Sequence, residues 1–123
     1  VYLTDPPQSF FVADDTFDPR RARDDLSIIS DKLLEVLARK QPIERYRISE
    51  ELRLVFDWVS DMETDKSVPV SDIRIASMRV SDGELQNCCF VWCSIAFLLK
   101  ACDRKRFSPL EAAIEMKGRI SSL

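Results

Sequence analysis

Histidine is absent from this chain of 123 residues. That removes the commonest general base, the commonest metal ligand and the side chain that titrates near neutral pH. Glycine is nearly absent as well, with two residues in all. All-β folds spend glycine on turns and bulges, so its scarcity favours long helices with few tight turns. Neither sign of charge dominates: the net charge is −3 and the pI about 5.0, which makes no case for a nucleic-acid-binding surface over the molecule as a whole. No uncharged run reaches the ~18–20 residues that span a bilayer, and the N-terminus lacks the basic-then-apolar order of a signal peptide. The chain opens on Val1 rather than Met, and a piece of a longer protein is the expectation.

What is present is a chain of ordinary globular composition, 46% hydrophobic and 32% charged. Such a chain is long enough for one core without staples. Its most informative stretch is Asn87 to Leu99, which holds no charged residue, no Gly and no Pro and carries three of the four cysteines. A helix that is apolar all round must be surrounded. The sequence therefore predicts an all-α fold: a compact bundle of four to five helices around a central apolar helix at about 82–103, with an extended N-terminal arm. Residues 1–18 form the arm and 19–123 a single helical domain.

Local signals place the elements. Asp18-Pro19 supplies an N-cap followed by proline at the first helical position, where its missing N–H costs nothing. The following helix carries Leu26, Ile29, Leu33, Val36 and Leu37 on one stripe, ends in a turn with Arg39 and Lys40, and is stopped by Pro42. A second helix, opening either after Pro42 or at Ser49, carries Ile48, Leu52, Val55, Phe56, Val59 and Met62. Leu54 and Trp58 form a second stripe on it. Residues 66–72 read as a loop and 72–80 as a short helix. Ser81 and Glu84 have capping-box spacing at the start of the central helix, as do Ser108 and Glu111 at the start of the last. That last helix presents Leu110, Ala113, Ile114 and Ile120.

Four features are weighed for function. Phe10, Phe11 and Phe17, spaced among aspartates, suit docking into a groove on another chain, or folding back on this domain's own core. An arm that packs in cis can also exchange in trans, so self-association is open. Leu54 and Trp58 add apolar surface that one small domain need not cover. Basic clusters at Arg20, Arg21 and Arg23, at Arg39, Lys40, Arg45 and Arg47, and at Lys100, Arg104, Lys105 and Arg106 could track a phosphate backbone if two met on one face. Arg39-Lys40 and Arg104 to Arg106, however, fall where helix C-termini favour cations. Catalysis ranks last. The paired carboxylates are adjacent in sequence and diverge, while Cys88, Cys89, Cys93 and Cys102 lack an activating base and sit along one helix. That placement disfavours disulfides, and the spacing disfavours zinc. Four reduced, buried thiols are expected.

The reading is a non-enzymatic interaction domain, an adaptor, scaffold or oligomerisation module inside the cell. It binds another protein or a second copy of itself through Phe10, Phe11, Phe17, Leu54 and Trp58. A nucleic-acid-binding accessory domain using the Lys/Arg clusters, in a viral or nuclear regulatory protein, is the alternative. No cofactor, metal, membrane or small-molecule substrate is implied.

Overall fold

Five helices follow one another in the computed structural model, which describes residues 18–61, 70–102 and 108–123. They are α1 (Pro19–Ala38), α2 (Pro42–Asp61), α3 (Val70–Ser77), α4 (Gly83–Cys102) and α5 (Pro109–Ser121), with no strand among the described residues. The arm up to residue 17, with Phe10, Phe11 and Phe17, lies outside the described residues. So do Met62 and the cluster Arg104, Lys105 and Arg106. The all-α bundle around an apolar central helix is the observed architecture.

Helix starts follow from capping chemistry. The Asp18 carboxylate accepts the N–H of Arg20 at 3.0 Å and of Arg21 at 3.5 Å, and Pro19 fills the first helical position. Ser108 does the same for α5, accepting the N–H of Glu111 at 3.3 Å ahead of Pro109. At α4 the expectation of Ser81 as cap is corrected. The helix opens at Gly83, and the Asp82 carboxylate accepts the Leu85 N–H at 3.1 Å. A carboxylate is favoured over a hydroxyl beside the positive end of a helix. Ser81 is engaged elsewhere, donating its N–H at 2.8 Å and its hydroxyl at 3.0 Å to Glu51 of α2.

Three further expectations change. Arg39 and Lys40 fall just beyond α1 rather than in its last turn, Arg39 being the C-cap. Pro42 also opens α2 instead of only ending α1, because proline at a first helical position is tolerated. In α5 the buried face is Pro109, Ala113, Met116 and Ile120, while Leu110 and Ile114 are about half exposed. The single strip facing α2 selects the 109-113-116-120 register, so apolar character alone misplaced Leu110 and Ile114.

The helices pack as two antiparallel pairs. Trp92 donates its indole N–H to Ser30 at 2.8 Å, and Lys40 meets Asp82 at 2.6 Å. Ten residues up α1 thus correspond to ten residues down α4. On α2 and α5, Arg53 donates to Ser121 at 2.8 Å, and Asp57 pairs with Lys117 one turn on. That pair is antiparallel too. Asp31 with Arg119, at 2.7 Å, ties α1 to α5.

Of the four paired helices α4 is the most enclosed. Every residue from Cys88 to Leu99 is at most 3% exposed within the single chain. Helices α1, α3 and α5 pack on it, and Phe56 of α2 meets Trp92 edge-on, centroids 4.7 Å apart at 74°. Aromatic residues each bury ~150–250 Å2, so this pair anchors the centre. On the α3 side, the Arg74 guanidinium lies 4.6 Å from the centroid of the Phe90 ring. No helix among the described residues is long and apolar enough to cross a membrane.

Candidate functional site

Three of the four thiols are described, and these are packing groups; the Cys102 side chain lies outside the described residues. Cys88, Cys89 and Cys93 are free and buried in α4. Burial pushes the Cys88 thiol up to about 11, with Glu84 adding to the effect. The Cys93 thiol is raised as well, first by its hydrogen bond with Cys89, one turn back, and then by burial. Raised thiols are poor nucleophiles. Among the described residues no group of three or more His, Cys, Asp or Glu is placed to hold a metal ion.

By the register of α1 on α4, Arg20, Arg21 and Arg23 stand at the same end of the bundle as Lys100, whereas Arg39, Lys40, Arg45 and Arg47 stand at the other. Lys40 is held by Asp82, and Arg39 lies 4.0 Å from Glu35. Arg45 donates to the Ala38 carbonyl at 3.4 Å, closing the end of α1. Arg47 alone of this set is exposed with no ion-pair or hydrogen-bond partner among the described residues. Lys100 stands near the other end of α4. At 1.5 Å per residue it lies about 27 Å along the helix from Asp82, the partner of Lys40. Two of the described clusters therefore occupy opposite ends of the bundle.

The electrostatics at the first end are local. The carboxyl of Asp82 is lowered, first by the hydrogen bond from Lys40, with desolvation opposing and the Leu85 N–H assisting. Lys40 is raised, again first by its bond to Asp82. This pair fastens the α1 terminus to the start of α4. Its groups serve the fold rather than a ligand.

Among the described residues the outward face of α2 carries three exposed large apolar side chains. Ile43 is 84% exposed, Tyr46 70% and Leu54 55%. At 100° per residue these three fall on one face of the helix. Of the two residues singled out by sequence, Leu54 stands in this face, whereas Trp58 is half-buried and packed against the core. Ile43 and Tyr46 lie in the opening residues of α2, ahead of the apolar stripe that begins at Ile48. Extending the helical period back to Pro42 finds them.

Where this face meets α5 there is a shallow groove of about 160 Å3, lined in part by Tyr46, Arg45, Arg53, Ile120 and Leu123. Small-molecule sites are usually clefts of about 300–1,000 Å3 that enclose most of the ligand. The groove is too small for that and is better described as relief in the α2 surface. Elsewhere the exposed apolar residues occur singly or in pairs, such as Ile28 on α1, Ile75 on α3 with Met78 in the turn after it, and Leu110 with Ile114 on α5, as on most surfaces.

Comparison of the chain with protein-family models, with curated proteins and with solved structures found no match.

Proposed function

We propose that this chain is a non-enzymatic, intracellular protein-interaction domain whose contact surface is the outward face of α2. The observation that carries this reading is the alignment of exposed Ile43, Tyr46 and Leu54 on one helix face over a core already closed by its own chain. Amphipathic helices present such i, i+3 and longer-period anchors to protein partners. Tyrosine is a favoured interface anchor because it combines apolar area with a polar tip. Arg47, Glu50 and Asp61 border the apolar side chains and supply the polar rim that protein interfaces have.

The nucleic-acid alternative is weakened by the engagement of Lys40 and Arg45 within the fold and by the distance to Lys100. The arm, with Phe10, Phe11 and Phe17, belongs to the proposal as a second contact element.

Hydroxyl-radical footprinting tests it. In cell extract, Tyr46 and Leu54 should be protected severalfold relative to the purified protein at high dilution, while Ile75 on α3 and Met78 just after it stay equally reactive. Equal reactivity of Tyr46 and Leu54 in both settings refutes the reading. If protection instead vanishes on nuclease treatment, the nucleic-acid alternative takes its place.

A further inference from the structure

The exposed face of α2 carries a charge pattern of its own. Arg47, Leu54 and Asp61 are spaced by sevens, so each is turned only about 20° from the last and the three form one stripe. Leu54 stands midway, with a cation about 10 Å to one side and an anion about 10 Å to the other. Arg47 and Asp61 are both exposed, and neither has an ion-pair or hydrogen-bond partner among the described residues.

We infer that the occupant of the Arg47–Asp61 stretch of this face is a second copy of the same chain, docked with its α2 antiparallel and the two-fold axis passing beside Leu54. In that arrangement Leu54 meets Leu54 of the other copy. Arg47 of each copy stands opposite Asp61 of the other, so two ion pairs form from one unpaired cation and one unpaired anion per chain. A parallel pairing would set arginine against arginine and aspartate against aspartate. The two other acids on this side of α2 that could repel in the antiparallel form are already compensated. Glu50 is bound by Arg53, and Asp57 by Lys117. Such a contact is isologous and closes on itself, as two-fold dimers do.

About Leu54 the two α2 helices overlap from Arg47 to Asp61, about 21 Å, which gives an interface below the ~1,200 Å2 of stable complexes, so the dimer is weak and concentration-dependent. This inference rests on the interaction reading above and names its partner.

Sedimentation equilibrium of the purified chain from about 1 μM to about 1 mM is the test, with folding checked by circular dichroism. The native chain should pass from monomer to dimer. Arg47→Asp and Asp61→Arg, each replacing two attractions by two repulsions, should each weaken dimerisation by about tenfold or more. The double variant R47D/D61R restores opposite charges across an antiparallel pair and should return to near the native constant. A native chain that stays monomeric overturns the inference. So does a dimer indifferent to the single reversals, or a folded double variant that fails to recover. A monomeric pure protein whose Tyr46 and Leu54 are still protected in extract removes self-pairing and leaves the interaction reading standing, whereas loss of both results removes both.

Discussion

Replacing Ser30 by Ala deletes one buried oxygen, and the cost can be worked from its two bonds. The Ser30 hydroxyl donates to the Leu26 carbonyl at 2.8 Å and accepts the Trp92 indole N–H, also at 2.8 Å. The Leu26 carbonyl keeps its place in the helix ladder, so losing the hydroxyl there costs little. The indole N–H has no such reserve: Trp92 is 1% exposed and set edge-on against Phe56. Leaving a buried donor unpaired costs about 1–3 kcal/mol. Ser30→Ala should therefore destabilise the native chain by about 1–3 kcal/mol, or ~3–10 °C in Tm for a domain of this length. Trp92→Phe removes the donor itself and should cost about 2–3 kcal/mol through lost packing and the lost bond. In that background no N–H is left to strand, so adding Ser30→Ala should cost less than about 0.5 kcal/mol. Urea unfolding followed by far-ultraviolet circular dichroism on the four proteins of the cycle gives the coupling directly. Strict additivity, or a neutral Ser30→Ala in the native background, would refute the role given to this bond.

Further outcomes are expected. Asp82→Ala should cost about 0.5–2 kcal/mol as loss of the α4 N-cap, read by the same unfolding assay. Because Lys40 holds Asp82 below its ordinary 3.8, the stability that Asp82 contributes is complete above that value and is lost as pH falls through the lowered one. The raised Lys40 contributes below its ordinary 10.5, and that share is lost as pH rises through the raised value. Lys40→Met should flatten both limbs of a Tm-against-pH curve, which would otherwise stay parallel to the native one. Native Cys88, Cys89 and Cys93 should react with iodoacetamide at pH 8 only as fast as the protein opens, as mass spectrometry can follow; rapid labelling of one would contradict their burial. Gly118→Ala should stabilise α5 by about 0.5–1 kcal/mol, since a β-carbon there meets nothing within 4 Å. A lower Tm would show hidden crowding.

The parts of the fold legible in the sequence were those fixed by local chemistry. Asp18-Pro19 and Ser108-Pro109 set two helix starts because cap and proline act within one turn. The uncharged run from Asn87 identified α4 because no other environment suits it. Competition between neighbours was less legible. Ser81 and Asp82 are both good caps, and the choice depended on Glu51, thirty residues away, taking the serine. Leu110 and Ile114 were equally apolar candidates until the register of α5 on α2 turned them outward. For the surface, Leu54 was found because it breaks the stripe of α2. Ile43 and Tyr46 are not legible as a face because the sequence allows α2 to open at either of two places. The fate of Lys40 and Arg45 was hidden for a similar reason: both are engaged by groups brought near only when α1 turns into α2 and meets α4.

The most direct measurement is photo-crosslinking from position 54. With a photoreactive residue at 54 in cells, and at the exposed position 35 on α1 as control, an interaction face on α2 predicts a discrete protein adduct from 54 and none from 35. Adducts of equal yield from both positions, or none from 54, would contradict it.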